Sequence, residues 1–215
     1  MKKSAILLSL ALTVLPIMGN ASDSWFDVGK SIGSAIGNSL NNGSDDKNFY
    51  CDEYYDFSKV KYLVVTANLP ENRSFISDPY IAQKYPSVLK QKFGDKIKVK
   101  TLAEAIQEYQ KYWQPLHPEY TLEQHVQEML SRIDAEGGVM VYVTIAAYSQ
   151  GAYGTGNCWL IFNVQPYGQN VVMSYSDMRM NAPRSSKEGM MKRISGKFVS
   201  KFMDACNSSA DKTID

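Results

Sequence analysis

The segment VKYLVVT at residues 60–66 is an almost uninterrupted run of residues that favour extended backbone. Leu63, Val64 and Val65 are consecutive, so a strand formed here would be apolar on both of its sides. Such a run is typical of a strand whose sheet is covered on both faces. We therefore predict that residues 60–66 lie inside a sheet.

Helix signals follow this strand. A helix is predicted from Asp78-Pro79 to Phe93, and a short strand at residues 97–100. Three further helices are predicted from apolar residues that recur at the helical period. Their starts carry capping signals, which are Thr101 with Glu104, Thr121 with Gln124, and Ser185 with Glu188.

The apolar period changes to two after Gly138, which is typical of strands. Residues 139–149, 158–165 and 171–178 are predicted to form an antiparallel meander beside residues 60–66. The complete order is β-α-β-α-α-β-β-β-α. We therefore predict an α+β fold with a single mixed sheet and helices packed on it.

The sequence YYDFSKVKYLVV at residues 54–65 leads into the first predicted strand. This entrance and the order of elements resemble a broad group of bacterial envelope domains, both secreted proteins and lipoproteins. At the fold level the group is similar to the amino-terminal domain of TolB, the curli secretion lipoprotein and the lipoprotein activators of penicillin-binding proteins. The likeness covers residues 50–206. It implies a non-catalytic binding or assembly module and transfers no catalytic residues.

Residues 1–21 have the layout of a secretory signal peptide. Lys2 and Lys3 precede an apolar run at residues 5–17, and Gly19-Asn20-Ala21 would suit cleavage before Ser22. We expect a periplasmic or secreted protein. The rest divides into a leader and polar linker at residues 22–48, a globular domain at residues 49–206, and a polar tail at residues 207–215.

The leader combines small and apolar residues at helical spacing. Gly29, Gly33 and Gly37 recur every four residues, downstream of Trp25. On a helix they would form a seam suited to self-association or to seating at a lipid interface. Alternatively the leader is poorly ordered, because each glycine costs a helix about 1 kcal/mol. Both interpretations stay open.

The charge balance limits the classes of partner. The chain has 23 basic and 22 acidic residues, so it lacks the basic excess that nucleic-acid binding requires. Electrostatic attraction to anionic lipid is disfavoured for the same reason. An envelope protein or a glycan is the expected partner, with membrane contact limited to the leader.

Three cysteines, Cys51, Cys158 and Cys206, would lie in an oxidising compartment. We favour a bridge between Cys51 and Cys206, which would join the two ends of the domain. The pairings of Cys51 with Cys158 and of Cys158 with Cys206 stay open. Cys158 alternates in phase with Leu160 and Phe162, which favours a free, buried thiol.

Ser149 is the only candidate nucleophile with a motif around it. Residues 147–151 read AYSQG, close to the Gly-x-Ser-x-Gly elbow of α/β-hydrolases. The first glycine is replaced by alanine, and the following residues favour a hairpin over the required helix. Both histidines, His117 and His125, precede the serine. A small serine hydrolase using Ser149 is therefore the alternative function, and no catalytic residue is assigned.

Metal and cofactor sites are not indicated. His117 and His125 lie eight residues apart, whereas ligand pairs on a helix are usually three or four apart. The methionines near the last strand and helix are read as core residues. No cofactor fingerprint is present, so neither a metal nor a cofactor is predicted.

Tyrosines in polar surroundings favour a contact surface, because each combines a flat apolar ring with a hydroxyl. The loop at residues 149–157 is its expected tip, with Tyr148, Gln150, Tyr153 and Asn157 as binding residues. The main hypothesis is a secreted, non-catalytic binding or assembly module of the envelope. A third hypothesis is a membrane-associating or self-assembling protein that acts through the glycine segment.

Overall fold

The computed structural model describes residues 49–68, 80–150, 156–179 and 187–212. Within these ranges the chain forms one six-stranded sheet with α-helices on both faces. The strands are β1 (Phe49–Cys51), β2 (Tyr62–Asn68), β3 (Lys98–Thr101), β4 (Gly138–Gln150), β5 (Gly156–Gln165) and β6 (Met173–Arg179). The helices are α1 (Tyr80–Phe93), α2 (Leu102–Tyr112), α3 (Leu122–Ala135) and α4 (Lys187–Lys212).

The sheet is mixed, with strand order β1-β6-β5-β4-β2-β3. Strand β2 runs parallel to both β3 and β4, because helical crossovers connect these strands. Strands β4, β5, β6 and β1 are antiparallel neighbours. The predicted α+β class, the interior position of the first long strand and the meander after Gly138 are thus confirmed.

The predicted order of elements was incomplete in one respect. Strand β1 precedes the first predicted strand and pairs with β6 at the sheet edge. It has only three residues, too few for alternation to be read from the sequence. Helix α4 also continues to Lys212, so it includes residues assigned to the polar tail. One of them, Ser209, accepts a hydrogen bond from the Phe57 backbone N–H at 3.3 Å.

The larger core lies between the sheet and the helices α1 and α4. Phe162 of β5 and Phe198 of α4 are fully buried, and their rings stack with centroids 4.4 Å apart. Phe93 of α1 meets Phe198 edge to face at 6.2 Å. Aromatic pairs in these geometries add to the stabilisation that apolar burial supplies. We call this side of the sheet the core face.

One polar pair is enclosed in this core. The Tyr85 and Ser195 hydroxyls lie 2.5 Å apart, and Ser195 donates its proton to the Met191 carbonyl at 2.7 Å. Tyr85 is therefore the donor of the first bond. Burial raises the pKa of the Tyr85 phenol, so it keeps its proton and both hydroxyls are satisfied.

The smaller core lies on the second face, where α2 and α3 cover β2 and β4. Its sheet side consists of Tyr62, Val64, Met140 and Tyr142. The capping boxes at Thr101 and Thr121 start these helices as predicted. After α3, a Cβ atom at Gly138 would lie 2.5 Å from the Tyr62 ring, so only glycine fits where the chain enters β4.

Candidate binding surface

Strands β5 and β6 present different residues to the two sides of the sheet. On β5, Cys158, Leu160 and Phe162 are fully buried on the core face, whereas Trp159 and Ile161, which alternate with them, are partly exposed. On β6 the same alternation separates Tyr175 from its neighbours. Because side chains alternate along a strand, the partly exposed residues share the second face.

The strand register places these residues side by side. Trp159 is paired with Met178, and Ile161 with Ser176. Ser174 lies opposite Tyr50 of β1. Met178 is 47% exposed and Tyr50 is 50% exposed. We call this surface the open face, and it consists of Tyr50, Trp159, Ile161, Ser174, Ser176 and Met178.

The open face ends where α3 begins to cover the sheet. Thr144 of β4 is paired with Ile161, and Asn163 of β5 with Tyr142. All three of Tyr142, Thr144 and Asn163 are buried, with at most 4% exposure. Burial also raises the pKa of the Tyr142 phenol. The second face is therefore closed over β2, over residues 140–144 of β4 and at Asn163 of β5, and it is partly exposed at Ile161 of β5, on β6 and at Tyr50 of β1.

The open face carries no carboxylate, ammonium or guanidinium group. Asp177, which lies between Ser176 and Met178 in sequence, is paired with Leu160 and so belongs to the core face. There it accepts a hydrogen bond from Lys197 Nζ at 2.7 Å. The open face thus offers aromatic, aliphatic and hydroxyl groups without charge.

The hairpin residues predicted to bind lie at the far end of β4 and β5. Tyr148 is paired with Cys158, Ser149 with Asn157, and Gln150 with Gly156. The side chains of Tyr148, Gln150 and Asn157 lie outside the part of the chain that the structure describes, as does Tyr153 entirely. These residues remain a prediction. The hairpin strands continue directly into the open face.

The open face itself was missed in the sequence. Its signal is the alternation of Cys158, Leu160 and Phe162 with Trp159 and Ile161. Alternation identifies two sides of a strand, but it does not say which side receives a helix.

The surroundings of Ser149 differ from a nucleophile elbow. Strand β4 continues through Ser149 and pairs antiparallel with β5, whereas an elbow turns from a strand into a helix. The imidazole of His125 is engaged elsewhere, since its Nδ1 lies 3.0 Å from the Tyr109 hydroxyl. The geometry gives no support to a serine hydrolase.

The two histidines are part of an aromatic cluster. His117 stacks on Tyr120 with centroids 4.4 Å apart, and Tyr120 packs against buried His125 at 5.5 Å. Burial, and then the neighbouring His117, lower the pKa of His125. Within the described ranges, no group of three or more His, Cys, Asp or Glu side chains is placed to hold a metal ion.

Methionines of the last strand and helix divide between core and surface. Met173, Met190 and Met191 are buried in the larger core, as predicted. Met178 instead belongs to the open face.

The cysteines correct one prediction. Cys51, Cys158 and Cys206 are not joined by disulfide bonds in this structure, so the bridge between Cys51 and Cys206 is not formed. Burial raises the pKa of Cys206 to about 11, and the neighbouring Cys51 adds to the increase. Cys158 is a buried free thiol, as predicted, and burial raises its pKa to about 12.

The leader residues Trp25, Gly29, Gly33 and Gly37 lie outside the described residues, as does the segment read as a signal peptide. Among the helices that are described, none is both long and apolar enough to cross a bilayer. The hypotheses about the leader therefore stay predictions.

Comparison with known proteins gives a limited result. No family model matches the chain, and no curated protein matches it. Two solved structures of PelC dodecamers from Paraburkholderia phytofirmans resemble it. A variant dodecamer in space group C2 is 14% identical with a TM-score of 0.44, over 66% of this chain and 88% of that one. The dodecamer in space group P6 is 12% identical with a TM-score of 0.47, over 72% and 94%. Function must therefore be inferred from this chain's own residues.

Proposed function

We propose that this protein is a secreted, non-catalytic binding module of the bacterial envelope, and that the open face is its binding surface. One observation carries the proposal. Met178 and Tyr50 are about half exposed on the side of the sheet to which Ile161 belongs, opposite the fully buried Leu160 and Phe162. Exposed apolar side chains of this kind on a folded domain are characteristic of an interaction site.

The rigidity of the surface supports this function. The opposite side of β5 is anchored by the stacked rings of Phe162 and Phe198, and β5 is paired on both edges. A surface held in this way loses little conformational entropy when a partner binds. Little of the free energy gained from contacts with the partner is then lost in ordering the site, so more of it contributes to affinity.

The absence of titratable pairs on the open face supports a non-catalytic role. General acid–base or nucleophilic catalysis needs a nucleophile within reach of a base whose pKa is tuned. None of the six residues is a carboxylate, histidine, cysteine or lysine. The secretory layout of residues 1–21 and the resemblance of residues 54–65 to envelope domains fit the proposed location.

Site-specific photo-cross-linking in the producing cells tests the proposal. A photoreactive phenylalanine analogue replaces Ser176 of the open face, and in a matched control it replaces Ser131, an exposed serine of α3. We expect envelope adducts from position 176 and none from position 131.

Two results would contradict the proposal. The first is an absence of adducts at position 176, or the same adducts at both positions. The second is ester, peptide, glycan or phosphate turnover by the purified protein that disappears in a folded Ser149→Ala variant.

A further inference from the structure

The chain that precedes β1 arrives at the exposed end of the open face. Strand β1 begins at Phe49, runs antiparallel to β6 and pairs Tyr50 with Ser174. Because of this direction, the chain comes to Phe49 from the end of β6 that carries Ser176 and Met178. Tyr50 and Met178 are exposed, whereas the other members of the open face are intermediate. The leader is therefore joined to the domain beside the most exposed part of this surface.

The connection is long enough to let the leader lie over the open face. Residues 41–48 follow it, and eight extended residues span up to roughly 26 Å. The open face measures only about 10 Å from β1 to β5, because they are two strand spacings apart. A segment on so short a tether has an effective concentration on the order of 1 mM. It therefore has an advantage over a partner that arrives from solution.

The leader sequence is amphipathic at the helical period. At about 100° per residue, its large apolar residues fall within one half of the circumference. They are Trp25, Phe26, Val28, Ile32, Ile36 and Leu40. The charged residues Asp27 and Lys30 fall on the other half, with Ser34 and Asn38. A helix over residues 25–40 would be about 24 Å long, which matches the length of the seven residues of β6.

The two surfaces also match in chemistry. The open face offers Tyr50, Ile161 and Met178, and it has no charged group that a helix would have to desolvate. Asp27 and Lys30 would remain in water on the outer side of the helix. A helix here would extend the layer that α3 forms over β2 and β4, as expected for a sheet whose faces are covered by helices.

On these grounds, and resting on the proposed function, we propose that residues 25–40 form an amphipathic helix that docks on the open face of its own chain. The docked leader competes with the external partner for the same surface. It therefore regulates the binding site that the proposed function assigns to this face.

The glycines of the leader make this docking reversible. Gly29 and Gly33 fall on the apolar side of the helix, where the lack of a Cβ atom lets its backbone approach the strands. Glycine also disfavours the helix itself, so the docked and undocked forms are close in free energy. A partner that binds more tightly displaces the leader, and the docked fraction lowers the apparent affinity for that partner.

Photo-cross-linking of the purified full chain without residues 1–21 tests this inference. The photoreactive phenylalanine analogue replaces Ser176, or Tyr50 as a second probe that nearly preserves the native side chain. Ser131 is again the control position. Equal amounts of isotope-labelled and unlabelled protein are mixed before irradiation, so that mass spectrometry separates links within one chain from links between chains. We expect links from positions 176 and 50 to residues 25–40 of the same chain, and none from position 131.

A matched pair of leader variants connects the docking to the proposed function. Ile32→Asp places a carboxylate on the apolar side of the helix, and Ser34→Asp places one on the opposite side. Ile32→Asp should reduce the links within one chain about fivefold or more. It should also increase the envelope adducts of position 176 in the producing cells. Ser34→Asp should do neither.

Four results would overturn the inference. They are an absence of links to residues 25–40, links between chains only, links that survive Ile32→Asp, and an unchanged yield of envelope adducts in Ile32→Asp. Links between chains only would assign the leader to self-association. Envelope adducts together with any of these results would leave the binding module intact and reject only the docking of the leader. Links within one chain without envelope adducts in any variant would instead reject the proposed function.

Discussion

The side chains on the two sides of strand β5 differ more in burial than they do in residue type. Phe162 is fully buried on the core face, and its neighbour Ile161 is partly exposed on the open face. Both residues favour strands to a similar degree. The difference goes with the packing of α4 on the core face, where Phe198 stacks on Phe162. Whether a side chain of β5 is buried therefore depends on what packs against that side of the strand, and not on the residue types within the strand.

The same contrast divides the sheet along its width. Its parallel part, β3-β2-β4, has helices on both faces, because each parallel connection brings a helical crossover. In its antiparallel part β5 and β6 are joined without a helix, and α4 covers the core face together with Tyr85 of α1, which packs against Phe162. Val64 in the parallel part is fully buried on the second face. The open face therefore follows from the topology.

The sharpest test of this comparison substitutes adjacent residues of β5. Phe162→Ala should destabilise the protein by about 3–5 kcal/mol, because it leaves a cavity against Phe198. Ile161→Ala should cost only about 1 kcal/mol, because its side chain is partly hydrated already. Urea unfolding of both variants measures the difference. Equal costs would mean that both sides of β5 are covered.

The parts of the fold that could be predicted are those with local signals. Residues 60–66 indicated a strand covered on both faces because successive side chains there are apolar, and Val64 and Val65 are fully buried on opposite sides. Thr101 and Thr121 marked helix starts because capping is a short-range interaction. Strand β1 gave no signal because its three residues depend on pairing with a strand distant in the sequence.

The candidate site could not be located in the same way. The tyrosines and glycines of the β4–β5 hairpin led us to predict binding residues at its tip, because loops often carry binding residues. Trp159 and Ile161 instead occupy a regular strand, and their accessibility depends on where α3 ends across the sheet. That position is set by packing of Met129 and Ile133 against the β2–β4 half, which no local pattern in β5 encodes.

The covered half of the second face should respond to pH. His125 is buried beside Tyr109, Tyr120, His117 and Glu119, and its pKa is lowered chiefly by burial. The unfolded chain then binds a proton at a higher pH than the folded chain does. Stability from this group is complete above the ordinary histidine pKa and decreases as the pH falls below it.

Urea unfolding between pH 8 and pH 5 measures this effect. His125→Gln, which can still bond to the Tyr109 hydroxyl but cannot titrate, should lose part of the pH dependence. His117→Gln should keep most of it, because burial and not the neighbouring imidazole is the larger cause. An unchanged pH dependence in His125→Gln would contradict the assignment.

The smallest effect is expected at the centre of the open face. In Ser176→Lys the lysine stem can lie along Ile161 of the paired strand while its ammonium group stays in water. The free energy of unfolding should change by no more than about 0.5 kcal/mol, as for exposed substitutions generally. Ser131→Lys on the exposed side of α3 is the control and should behave alike.

A cost of about 2 kcal/mol or more at position 176 alone would show that a lysine there is buried without a partner. The face would then be covered in the folded chain, and binding to it would first require that cover to move.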